Sequence, residues 1–167
     1  MLLTLLALSL PPSQAPSDAC ALLKPADLSA LGPTAIPHNS DMEVPSGPGK
    51  GQLVRGCMWQ IGQQGMIAIS VAPSPKDAST RQAGLAMLEQ TYNQLKARGW
   101  TEEKEDLAGG GKCALLIPPA SESDAPITTG CFAEAKGLAV SVSALGKTKV
   151  SIEQVKELLG KVVERLR

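Results

Sequence analysis

Cys20, Cys57, Cys113 and Cys131 are the residues best suited to chemistry in this chain. Thiolates that do redox work or hold zinc come in close pairs, above all as C-x-x-C. No such pair occurs here, so neither a redox centre nor a metal site is expected. An even number of cysteines behind an apolar leader points instead to disulfide bonds, and four cysteines allow three pairings. Sequence proximity and an internal repeat, described below, favour Cys20–Cys57 with Cys113–Cys131. Loops of these lengths would contribute about 3–4 kcal/mol each.

The remaining candidates point to structure rather than catalysis. His38 is the sole histidine, which excludes any site that needs two. It lies in a stretch rich in proline and glycine and reads as a solvated loop residue, not as a ligand or proton shuttle. A Ser–His–acid triad would have to use it, and the chain has no G-x-S-x-G nucleophile elbow. Glu102, Glu103, Glu105 and Asp106 gather negative charge, but they lack the alternating carboxylates and closing Glu of a calcium loop. Gly109-Gly110-Gly111-Lys112 fails the P-loop spacing, and Cys113 stands where a Ser or Thr would meet magnesium.

A carboxylate pair of the glycosidase kind would have little to hold a sugar. The aromatic residues are only Trp59, Tyr92, Trp100 and Phe132. They are equally few for a base-stacking platform, and sixteen basic against sixteen acidic residues leave no surplus for phosphate. No catalytic, cofactor-binding or metal residue is expected, nor any cofactor or nucleic-acid partner. The chain reads as non-enzymatic.

The elements that must carry these residues fit one domain, since the chain has 167 residues. Residues 1–15 read as a secretory signal peptide. MLLTLLALSL is apolar but shorter than the roughly 20 residues of a membrane span, and a polar, proline-rich stretch follows. Residues 16–167 then form a single secreted or periplasmic domain of the cell envelope, with no transmembrane span. Lipid anchoring at Cys20 is not expected, because Ser17 and Asp18 do not suit a lipobox.

Residues 18–32 read as a short helical segment, with Asp18 as cap, Pro25 at a first helical position and Gly32 as stop. Residues 33–52 read as a long surface loop. Residues 53–61 and 65–72 alternate as a β-hairpin, with Cys57 and Trp59 on one face. Residues 79–98 read as a helix with a Ser79/Gln82 capping box and a stripe of Leu85, Leu88, Tyr92 and Leu95.

Residues 101–112 read as a solvated edge strand or loop. Residues 113–117, 129–135 and 138–144 read as strands, the last two joined by a turn at Lys136-Gly137. Residues 118–128 form a polar loop. Residues 151–166 carry a Ser151/Gln154 capping box and a continuous stripe from Ile152 to Leu166. The expected class is α+β: an antiparallel sheet of about five to six strands, two long helices packed on one face, a short N-terminal helix and two disulfides.

Two fragments recur. Cys20-Ala-Leu-Leu-Lys-Pro matches Cys113-Ala-Leu-Leu-Ile-Pro, and Gly56-Cys57 before a hairpin matches Gly130-Cys131 before another. Two similar half-units, residues 18–99 and 100–167, are an alternative reading within the single domain, and a long helix after each hairpin is expected with or without duplication.

The stretch Asp18-Ala19-Cys20-Ala21-Leu22-Leu23 with Pro25-Ala26-Asp27 and Leu31-Gly32 joins Cys57-x-Trp59 and the Lys136-Gly137 strand and helix in one pattern. That pattern resembles a family of small secreted or lipid-anchored bacterial envelope proteins of uncharacterised function, best known from actinobacteria. The resemblance implies that the first two cysteines pair, that helices back a sheet, and that no enzymatic activity is present. Cys113 and Cys131 are additions to the family pattern.

The leading functional expectation is a non-enzymatic envelope protein that binds through its sheet face or loops. An alternative is a periplasmic inhibitor or immunity protein that blocks a partner hydrolase. A third is a carrier of a small apolar ligand. The expected partner is another envelope or secreted protein, or a small ligand.

Overall fold

The computed structural model describes residues 15–34, 36–45, 50–63 and 65–166. The expected signal peptide, apart from Ala15, lies outside the described residues. Short helical turns at Ala19–Leu22 and Ser29–Leu31 flank α1 (Pro25–Leu28). Then come β1 (His38–Asn39), β2 (Met42–Glu43), β3 (Leu53–Ile61), β4 (Gly65–Pro73) and α2 (Ala78–Ala97). The chain continues through β5 (Thr101–Asp106), β6 (Lys112–Ile117), β7 (Ile127–Ala135), β8 (Leu138–Gly146) and α3 (Ile152–Arg165).

The strands form one antiparallel sheet in the order β1-β3-β4-β8-β7-β6-β5, with β2 also paired to β3. β4 and β8 pair along their whole length, from Gly65 opposite Gly146 to Pro73 opposite Leu138. Lys136 and Gly137 both have positive φ in the tight β7–β8 turn. That is the geometry a two-residue hairpin turn requires, and it matches the right-handed twist of the strands.

The sheet has eight strands rather than the expected five to six. Two come from residues 33–52, which were expected to be a surface loop and instead run along the outer edge of β3. The edge is broken at Ser40-Asp41, where the backbone ladder is replaced by a side chain. Gly56 N–H donates to Asp41 Oδ1 at 3.0 Å, while Ser40 N–H donates to the Gly56 carbonyl at 2.9 Å. A carboxylate thus stands in for a strand carbonyl, a bulge device that proline-rich composition hides. Only glycine fits opposite it, since a Cβ on Gly56 would lie 2.4 Å from Ser40 Oγ.

One sheet face holds the core. Ile67, Ile69 and Val71 of β4 lie beside Val140, Val142 and Ala144 of β8, all buried. α3 covers this face with Ile152, Val155, Leu158, Leu159 and Val162. Each such side chain contributes about 1.5–3 kcal/mol when buried. The Ser151/Gln154 capping box starts α3 as expected. Thr129 is buried beneath it, and its hydroxyl donates to the Val150 carbonyl, which fixes the approach to the helix.

α2 departs from expectation in two ways. Its cap is Asp77, whose carboxylate accepts from Thr80 N–H, and not Ser79. It also does not share the core face with α3, and none of its residues is buried. Its four-residue stripe is thin beside that of α3, and the core face is already covered by α3 and the N-terminal turns.

The N-terminal turns are tied to α3 by Asp27. It accepts from Arg165 Nη1 at 2.5 Å and Nη2 at 3.1 Å, and from Lys24 N–H at 2.7 Å. The Arg165 hydrogen bonds outweigh burial and hold the Asp27 carboxyl at about 2, below its usual 3.8. A depressed folded-state pKa adds stability above the unfolded value, which is lost as pH falls through the folded one. Asp27→Asn should therefore lower the urea midpoint at pH 7. The gap between variant and wild type should shrink as pH falls from about 4 towards 2, which urea titrations across that range would read.

Candidate functional site

The sheet face turned away from α3 is the open one. Strand register places Met58, Ala68, Ser143, Gly130, Ala114 and Lys104 in one row across it, from β3 to β5. Small side chains in the middle of that row make a shallow channel. Beside it Ser70 and Ser141 share a hydrogen bond at 2.7 Å, and Met66 lies opposite Leu145. Met66, Ala68, Ser70, Ser141, Ser143 and Leu145 are all only half-buried.

α2 spans this face and is held by charged pins. Arg81, near its start, pairs with Glu134 of β7 at 3.6 Å. Lys96, near its end, pairs with Glu102 of β5 at 2.6 Å. Glu102 also pairs with Lys104 at 2.8 Å, and the Lys104 ammonium lies 4.8 Å from the centre of the Tyr92 ring. Between the pins Leu85 and Leu88 are about half exposed and Met87 more so. An apolar side chain at half exposure retains much of its burial energy for a partner.

The Glu102 side chain is 1% exposed. Burial works to raise its pKa, but the Lys104 and Lys96 ammonium groups prevail and keep it lowered. The Tyr92 hydroxyl is pushed up, first by burial and then by the Glu102 charge. The end of α2 is fixed again by Glu122, on a helical turn at Ala120–Glu122 within the 118–128 loop. Glu122 accepts from Arg98 at 3.1 and 2.6 Å and from Trp100 Nε1 at 3.1 Å.

The residues that could do chemistry are dispersed. Cys20 pairs with Cys57 and joins the N-terminal turn to β3. Cys113 pairs with Cys131, directly opposite on β6 and β7. His38 is exposed on β1. Trp59 is fully buried in the core, and among the described residues its Nε1 has no hydrogen-bond partner.

Strand alternation splits the acidic stretch. Glu102 faces α2, while Glu103 pairs with Lys149 and Glu105 with Lys156 on the other side. Among the described residues no three His, Cys, Asp or Glu side chains gather where a metal could be held. Gly109 and Gly110 adopt positive φ in the turn between β5 and β6. No described helix is long and apolar enough to cross a membrane.

Sequence reasoning passed over Tyr92, Lys96, Glu102 and Lys104 as a site. The available signal was the Glu102/Lys104 spacing, which puts opposite charges on one strand face.

No family model and no curated protein matches the chain. Among solved structures, the extracellular domain of PknH from Mycobacterium tuberculosis is similar to it, at 13% identity and a TM-score of 0.54. The match covers 92% of this chain and 98% of that one. At this identity the likeness is one of fold alone.

Removing the buried charge should release α2 alone. Glu102→Gln is expected to speed hydrogen exchange of the α2 amides at least about tenfold while the β4 and β8 amides hold their protection. Mass-spectrometric exchange resolved by peptide would read both.

Proposed function

We propose that this chain is a non-enzymatic extracellular binding domain that engages a partner protein on the open sheet face beneath α2. One observation carries the reading. A 20-residue helix with no buried residue is held across a half-exposed sheet face by charged side chains, not by apolar packing. Helices that serve only stability bury a stripe, as α3 does. Here the apolar side chains of α2 and the small-residue channel lie on the same side of the sheet with neither sealed.

Two disulfides support an oxidising compartment, where such bonds persist. The fold shared with an extracellular domain agrees with that setting. A broad, shallow face suits a protein segment better than a small molecule, which binds in concave sites. The inhibitor reading has less support. An inhibitor would plug an active site with a protruding loop, and the two long loop stretches are tied to the fold, residues 33–52 along β3 and residues 118–128 to Arg98 and Trp100 through Glu122.

The test uses the oxidised protein as bait against envelope extract. Wild type, Ala68→Arg and Leu88→Arg on the open face, and Glu164→Gln on α3 as control, would be compared by quantitative mass spectrometry. A protein retained by wild type and the control, and reduced at least about tenfold by both arginine variants, is the expected result. Equal capture by all four proteins would overturn the assignment of the face.

A further inference from the structure

A second site lies at the end of the sheet, where β3 turns into β4 and β8 leads to α3. A cavity of about 430 Å³ opens there, lined by residues of the Ser29–Leu31 turn, the β3–β4 turn, the β8–α3 connection and the first turn of α3. That volume falls in the roughly 300–1,000 Å³ range of small-molecule sites. Leu31, Ile61 and Val150, which pack against the core, make its apolar wall. Lys147 and Lys149 are part of its lining, with their ammonium groups turned to Asp124 and Glu103, and the described lining includes no carboxylate and no aromatic ring.

The site is built before any ligand arrives. Gly62 N–H donates to the Pro33 carbonyl at 2.9 Å, which anchors the β3–β4 turn. The Thr129 hydroxyl bond to the Val150 carbonyl anchors the opposite wall. The lysines remain available. Lys147 meets fully exposed Asp124 at 3.6 Å and donates to the Ser123 carbonyl, and Lys149 meets exposed Glu103 at 3.2 Å. Exposed pairs of this kind contribute little, so an anion can replace them.

We infer that this cavity binds a single-chain anionic amphiphile, with the chain against Leu31, Ile61 and Val150 and the head group between Lys147 and Lys149. Charge selects the ligand: an anion can displace exposed Asp124 and Glu103 from Lys147 and Lys149, a cation finds no carboxylate in the described lining, and the apolar wall disfavours a free inorganic anion. The absence of an aromatic ring from the described lining argues against a sugar.

Calorimetric titration of the oxidised chain with dodecanoate, kept below its micellar concentration, tests this. Dodecanol and dodecyltrimethylammonium are the comparison probes. One saturable site is expected, with dodecanoate bound at least about tenfold tighter than either probe. The double variant Lys147→Gln/Lys149→Gln should lose that preference while keeping its unfolding midpoint. Leu31→Gln, at the half-buried wall, should weaken dodecanoate and dodecanol alike. Absence of saturation, equal affinity for the cationic probe, or an unchanged preference in the double variant would overturn the site.

Discussion

The pairing of β4 with β8 is the constraint on which the rest of the molecule depends. It brings a strand from the first half of the chain against one from the second, over nine residue pairs with no break. It sets a single register, and that register decides which side chains face α3. A slip of one residue would turn Ile67, Ile69 and Val71 out and Ala68 and Ser70 in. The centre of the core and the middle of the small-residue channel are consequences of this one alignment. The closing entropy of so long a loop is met by the apolar pairs that the register brings together.

The sheet then has two unequal faces. One is sealed by α3, by the N-terminal turns and by the Asp27–Arg165 tie that holds those turns to α3. The other is crossed by a helix that touches it mainly through ions. The difference is one of energy per contact. Buried aliphatic side chains hold α3 with several kcal/mol, whereas exposed charge pairs contribute about 0–1 kcal/mol each. Buried Glu102 is the strongest of the α2 attachments, because its charge has lost water and must keep its lysines. Stability and availability are thus allotted to opposite sides of the same sheet.

Local physics made much of this legible from the residues. The α3 stripe from Ile152 onward, its Ser151/Gln154 box, the alternation of β8 and the Lys136-Gly137 turn all follow from short-range periodicity and backbone conformation. What failed were properties that depend on distant partners. β1 and β2 were hidden because their pairing relies on Asp41 meeting Gly56, which no window of sequence displays. The side of the sheet taken by α2 was also hidden. Its Leu85–Leu88–Tyr92–Leu95 stripe predicts a helix but not which face the helix lies on. That is decided by Arg81 and Lys96 finding Glu134 and Glu102. The acidic stretch misled for a related reason: as a run it looks like one charged patch, yet a strand sends its members to opposite sides.

β5 has one more property. As the last strand at its end of the sheet, it offers a row of backbone donors and acceptors to any strand that approaches. Its sequence, Thr-Glu-Glu-Lys-Glu-Asp, makes that approach costly. A second copy laid antiparallel would set carboxylates beside carboxylates and would have to strip water from them. The opposite edge is interrupted by the Asp41 bulge. Neither border of the sheet is therefore a template for growth into a fibre.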